Sequence, residues 1–215
     1  MGHSQADKAE THERIVRRAS KRFREAGLDG IGVADLMKEA GMTVGGFYKH
    51  FPSRADLVIE ALQAAFAERE AHIEKRRPSF AELTDAYLGL DHRDNPGVGC
   101  AVGALLGDAA RSSERIRAVY TEQVNRDIGN MASRLDSKEP SAKRAQAIFA
   151  FSALVGALGL ARAVSDEAFS LEILETVRAL LKAQKPARPK KALKARAPHK
   201  ASKRGARAAT ARRAR

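Results

Sequence analysis

Apolar residues recur along most of this 215-residue chain at spacings of three and four, and nowhere in sustained alternation. Ile15, Ala19, Phe23 and Ala26 form one stripe, Leu57, Ala61, Ala64 and Ala65 a second, and Leu83, Tyr87 and Leu90 a third. Further on, Ile148, Phe151, Leu154, Val155 and Leu158 form a fourth. Phe169, Ile173, Val177 and Leu180 form the last, widened by Leu174 and Leu181. A period near 3.6 places each set on one face of an α-helix. Trp is absent and aromatic residues are only 5% of the chain, which disfavours a sandwich or barrel. The chain therefore predicts an all-α protein. Its breaks fall at Gly27–Gly32, at Pro78, at His92–Gly97 and at Asp136–Pro140.

The net charge of +13 is local. Residues 183–215 hold 13 Lys or Arg and no acid, leaving basic and acidic residues equal in number over 1–182. This tail is Ala, Lys, Arg and Pro, with Leu193 its one large apolar side chain. It cannot offset the entropy of ordering, so it is expected to be disordered in isolation. It resembles the tails of linker histones and other nucleoid proteins, which bind phosphate without sequence preference. A single Cys excludes a disulfide framework and a thiolate metal cluster. No apolar run approaches the roughly 20 residues of a membrane span. Met1–Glu10 lacks the apolar stretch of a secretory signal, so a cytoplasmic chain with no membrane partner is expected.

Residues 31–51 carry the most specific pattern. Val33–Ala40 suits a two-turn helix with Leu36, Met37 and Ala40 inward, ended by Gly41 at a left-handed position. Thr43 offers an N-cap hydroxyl for a second short helix, Val44 to His50. Two short helices joined by a tight Gly-containing turn form a helix-turn-helix. Gly45 and Gly46 allow close approach to a surface, while Tyr48, Lys49 and His50 offer donors to phosphates and base edges.

Residues 11–62 resemble the DNA-binding domain of the tetracycline-repressor (TetR/AcrR) family of bacterial regulators. The likeness rests on Glu13-Arg14-Ile15-Val16, Ala19 and Phe23–Gly27 in the first helix, then Val33, Asp35-Leu36 and Ala40–Thr43. It continues through Gly45-Gly46-Phe47-Tyr48-Lys49-His50-Phe51-Pro52-Ser53-Arg54 and Leu57. The resemblance implies a double-stranded DNA partner. It places Val33 and Ala34 beside the duplex, Thr43 on a phosphate, and Val44, Gly45 and Gly46 at the opening of a recognition helix. Tyr48, Lys49, His50 and Arg54 would reach phosphates or a base, and Phe47 and Phe51 would anchor the motif core. Val44 and Gly46 stand where the family often has Lys and Thr or Ser, which removes two polar groups from the reading face. The first helix also carries Arg14, Arg17, Arg18, Lys21, Arg22 and Arg24, about half of them expected to be simply solvated.

The resemblance implies three parts: a three-helix DNA-binding domain over 1–60, a helical ligand-binding and dimerisation domain over 61–182, and the tail over 183–215. A homodimer would pair through Phe151, Leu154, Val155, Leu158, Phe169, Ile173, Val177 and Leu180. An unknown, mostly hydrophobic effector would sit among Tyr87, Cys100, Leu105, Tyr120 and Phe151. Binding would then pull the two reading heads out of register and release a repressor. Two alternatives stand beside this: a nucleoid-associated, DNA-architectural protein that uses the body to dimerise, and an electrophile sensor acting through Cys100. No cofactor, metal site or catalytic residue is expected. Gly97, Gly99 and Gly103 follow no strand, and His12-Glu13 lacks the second His of a zinc-protease helix.

Overall fold

The computed structural model describes residues 5–135 and 139–183. Those residues form helices joined by short turns: α1 (Gln5–Ala26), α2 (Val33–Glu39), a 3-10 helix (Val44–Lys49) and α3 (Arg54–Arg76). Then follow α4 (Phe80–Tyr87), α5 (Leu90–Asp94), a 3-10 turn (Pro96–Val98), α6 (Ala101–Ala104), α7 (Leu106–Arg111), α8 (Glu114–Ala132), α9 (Pro140–Ala163) and α10 (Glu167–Ala183). The basic stretch after Ala183, and positions 136–138 of the expected Asp136–Pro140 turn, lie outside the described residues.

Three of the four residues of the first stripe are buried as their spacing predicts, while Ala26, at the end of α1, is exposed. Ile15, Ala19 and Phe23 of α1 are buried, and α1 packs along α3, whose Leu57, Val58, Ala61, Leu62, Ala65 and Phe66 are also buried. The start of α3 is fixed by Ser53, whose hydroxyl accepts from the Asp56 backbone N–H and donates to the Asp56 carboxylate at 2.7 Å. The helix stops at Arg77, which adopts a left-handed conformation (φ 43°) before Pro78. Between those ends it runs without a break through residues 60 and 61, so one rigid rod belongs to both halves of the body. Ser79 and Glu82 then form a capping box that starts α4.

The His92–Gly97 connection holds more structure than its turn-rich sequence predicts. Leu90–Asp94 closes a single helical turn, and Leu90 is exposed there instead of extending the Leu83–Tyr87 stripe. Arg93 staples this turn to α10 through Glu167 at 2.9 Å and the Ser170 hydroxyl at 3.0 Å. Arg162 donates to the carbonyls of His92 and Arg93, and Arg178 to that of Leu88.

α9 has two apolar faces, where sequence periodicity predicts one. Ala147, Ala150, Phe151, Leu154, Val155, Leu158 and Ala161 face the protomer core, while Ile148, Phe149 and Leu160 point outward. By length and composition alone the helix could cross a membrane, contrary to the expectation that no run is apolar enough. Its buried face instead makes it the central helix of the C-terminal half, in contact with α8 and α10. α10 is divided similarly: Leu174 and Leu181 are buried, Ile173 and Val177 half-buried, Phe169 and Leu180 exposed. Phe151, Leu154, Val155 and Leu158, expected at a dimer interface, are thus core residues of one protomer. A hydrophobic stripe has the same spacing whichever neighbour covers it.

Leu154 is 0% exposed in this core. Leu154→Ala is expected to lower unfolding free energy by about 2–5 kcal/mol, read from urea denaturation. A cost below about 1 kcal/mol would place this side chain outside the core.

Candidate nucleic-acid interface and adjoining cavity

Gly41 makes the turn between α2 and the 3-10 helix. Its φ of 74° is left-handed, the Gly41 N–H bonds the Lys38 carbonyl at 3.0 Å, and the Met42 N–H bonds the Met37 carbonyl at 2.8 Å. This pair of bonds is a Schellman motif, which closes α2 and reverses the chain in two residues. Phe47 and Phe51 then anchor the second half of the motif. Both are buried, 5.5 Å apart between ring centroids, and His12 of α1 stacks on Phe51 at 4.5 Å.

The segment expected as a second α-helix is a 3-10 helix, Val44–Lys49, with the Gly46 N–H bonded to the Thr43 carbonyl and the His50 N–H to the Phe47 carbonyl. Adjacent glycines carry the largest backbone entropy cost in an α-helix, which favours this tighter, shorter form. Thr43 occupies the cap position with extended backbone, but its hydroxyl makes no capping bond, contrary to expectation. It remains exposed and available to a ligand.

Seven of the ten residues expected at DNA share the outer surface of this motif. Ala34, Thr43, Val44, Gly45, Tyr48 and Lys49 are exposed and Val33 is half-buried; Val44 is 52% and Tyr48 78% exposed. A Cβ on Gly45 would meet nothing within 4 Å. Gly46 is different: it is buried, and a Cβ there would face Met37, Met42 and Thr43. It therefore packs inside the motif and does not read the surface.

Arg54 is also turned inward. Its guanidinium donates to the Leu28 carbonyl and to Asp29 at 3.2 Å, and sits 5.8 Å from the Phe23 ring. It clamps the Gly27–Gly32 loop to the start of α3 while its side chain stays 37% exposed. His50 is half-buried, with Nδ1 buried and unpartnered. Burial, then the neighbouring His12, Lys8 and Lys49, hold its pKa below the ordinary histidine value.

The basic face of α1 is largely neutralised. Arg17 pairs with Glu13 at 3.2 Å, Lys21 with Glu25 at 3.8 Å, and Arg22 with Glu25 and Glu39 at 2.7 and 3.2 Å. Arg24 is buried, its guanidinium bonded to the carbonyls of Ser20 and Gly99.

Residues 15–61, the span of this motif and the helices that hold it, match the family model described as bacterial regulatory proteins, tetR family. Over those residues the chain is similar to that family. No curated protein matches the sequence. Solved structures match far more of the chain. Reduced-form NemR of E. coli aligns over 80% of this chain and 95% of its own, at 20% identity and a TM-score of 0.66. A TetR-family regulator of Agrobacterium tumefaciens aligns over 81% and 97%, at 21% identity and a TM-score of 0.65. A regulator of Aquifex aeolicus VF5 aligns over 80% and 98%, at 25% identity and a TM-score of 0.58. The resemblance of fold therefore extends through the C-terminal half.

Where the tetR-family domain meets that half there is a cavity of about 470 Å³. Arg24 of α1, Arg69, His72, Ile73 and Arg76 of α3, Leu83, Ala86 and Tyr87 of α4, and His92, Val98 and Gly99 line it. Of the five residues expected at an effector pocket, Tyr87 alone lies in this wall. Cys100, Leu105 and Phe151 are buried core, and the Tyr120 hydroxyl donates to the Val102 carbonyl at 2.6 Å. Sequence reading missed Arg24, Arg69, His72, Arg76 and His92, because charged residues at helical spacing read as a solvated face.

His92 is fixed at this wall by two bonds. Nδ1 lies 2.7 Å from the Tyr87 carbonyl, and the Cys100 N–H donates to Nε2 at 2.9 Å. These partners require a neutral ring protonated on Nδ1, since a proton on Nε2 would oppose the Cys100 N–H. Burial is the main cause that lowers its pKa to about 4, with Arg69 and Arg162 contributing and the Tyr87 carbonyl opposing. A histidine with a depressed folded pKa stabilises fully above the unfolded value of about 6.5 and loses that contribution as pH falls toward 4. Unfolding free energy should therefore drop by about 1.4 kcal/mol per pH unit across that window from this residue alone. Urea titrations at several pH values should show a slope shallower by one proton in His92→Gln. Equal slopes in the two proteins would refute the assignment.

Proposed function

We propose that the protein is a homodimeric transcriptional repressor that binds a short near-palindromic DNA site and releases it when a small molecule fills the cavity. The observation that carries this reading is the outward face of the tetR-family motif. Thr43, Val44, Gly45, Tyr48 and Lys49 are exposed together there, on a turn held rigidly from behind by Phe47 and Phe51. Hydroxyl, phenol and ammonium groups suit phosphate and base-edge contacts, and Gly45 leaves room for close backbone approach. With Gly46 and Arg54 turned inward, direct readout rests on few side chains.

One motif of this size covers few base pairs, so two heads about 34–36 Å apart are needed for a usable site. The outer faces of α9 and α10 support such pairing. Phe149, Leu160, Phe169 and Leu180 are exposed, and Gly156 and Gly159 on α9 leave their Cβ positions open. Ile173 and Val177 flank this face, so part of the expected interface on α10 is retained. Leu160→Asp is expected to convert dimer to monomer in sedimentation velocity while preserving the helical circular dichroism signal. An unchanged sedimentation coefficient would move the interface elsewhere.

The cavity is placed to act on DNA binding. Arg24 lies on the helix that packs behind the motif, and α3 begins at the motif and ends beside the cavity. An occupant that displaces either helix would tilt the reading head. The basic segment after Ala183 would add salt-sensitive affinity without sequence preference, and the protein would work in the cytoplasm, on the nucleoid. Cys100 is fully buried, so this arrangement gives less support to a thiol sensor.

Genome-fragment selection and footprinting on the full chain and on residues 1–183, at about 0.15 M salt, test the reading. Both forms are expected to protect the same short near-palindrome, the truncated form with lower affinity. If the full chain coats DNA indiscriminately and the truncation binds nothing, the regulator reading fails and an architectural protein replaces it.

A further inference from the structure

We infer that the cavity takes an organic anion, a carboxylate on an apolar body, and that Arg69 is the group that grips it. The inference rests on the effector reading above and names the ligand class, in place of the mostly hydrophobic effector that the family resemblance implies.

The argument starts from charge. Two acids line the cavity and both are engaged: Glu68 pairs with Arg24 at 3.5 Å, and Glu82 accepts from the Ser79 N–H at 2.8 Å and its hydroxyl at 2.7 Å. Arg69 is not matched in this way. Its Nε is buried without a hydrogen-bond partner, and no acid forms an ion pair with it among the described residues. Asp127 of α8 lies within its electrostatic reach, with Oδ1 accepting from Gln123 at 3.2 Å and Oδ2 buried without a partner, but it makes no ion pair with Arg69 and does not line the cavity. A guanidinium whose Nε is buried with no acceptor is costly, and a carboxylate that accepts two parallel N–H bonds from its planar fork removes that cost.

Geometry points the same way. The Arg69 guanidinium lies 5.3 Å from the Tyr87 ring centroid, a cation–π contact that holds the fork in one place before a ligand arrives. The Tyr87 hydroxyl itself is buried toward Cys100 and Gly103, so the ring is what Tyr87 offers this site. Arg76 adds a second positive charge to the cavity wall. The remaining surface is apolar, from Ile73, Leu83 and Val98, and a volume of about 470 Å³ accommodates an aromatic or medium-chain body. A neutral lipophile would fill this space and leave the Arg69 donor unsatisfied.

The test is calorimetric titration of the full chain with a panel of aromatic and medium-chain carboxylates, each beside its own primary amide. At least one carboxylate is expected to bind ten-fold or more tightly than its amide, and Arg69→Met to erase that preference. If no carboxylate exceeds its amide, or if Arg69→Met keeps the preference, the proposal is overturned. Should Arg69→Met fail to fold, Arg69→Lys serves, because it keeps the charge without the fork and is expected to weaken carboxylate binding several-fold. The wild-type pairs decide even without a variant. Footprinting the same preparations separates the two readings. Carboxylate binding without a protected site overturns the regulator and leaves the anion site standing, whereas a protected site without carboxylate preference overturns the anion site alone.

Discussion

The packing of α1 along α3 is the contact on which the rest of the body depends. At one end it closes the N-terminal domain: Ile15, Ala19 and Phe23 meet a face of α3 that contains Leu57 and Ala61, and Phe51 is trapped beside His12. At the other end the same two helices deliver Arg24 and Arg69 to one cavity. Small residues make this possible. Ala19, Ala61 and Ala65 let the helices lie close, so that the large side chains interdigitate. The reading head and the cavity are thus two ends of one packed pair, and a displacement at either end has few other places to go.

Much of the N-terminal domain was legible in the sequence, for reasons that are local. Gly41 predicts its own left-handed conformation, and Phe47 and Phe51 are buried because their spacing puts them on the inner face of a short turn. What was not legible depends on neighbours distant in sequence. Arg54 looks like a phosphate contact until the Leu28 carbonyl and Asp29 are brought beside it by the preceding loop. Gly46 looks like a surface residue until Met37 and Met42 are seen on its open side.

The C-terminal half was read correctly as helical but not as to which face does what. In α9 every apolar position fits a helix, and only the placement of α8 and α10 decides that Leu154 faces inward and Phe149 outward. The cavity was the least legible feature. Its walls come from α1, α3, α4 and the Pro96–Val98 turn, segments that share no motif, and its most distinctive groups are charged residues whose helical spacing normally marks a solvated surface.

The glycines of α9 bear on how much of this protein a cell can keep folded. A glycine inside a helix costs about 1 kcal/mol relative to alanine, and Gly156 and Gly159 touch nothing within the protomer that would require them. The isolated chain therefore carries a local weakness in its central helix, which close packing of another surface there would offset. In the proposed homodimer, stability would rise with the chain's own concentration. At low abundance more of such a protein would be unfolded and open to proteolysis, and at high abundance it would protect itself, so its level and its lifetime would reinforce each other without any separate control.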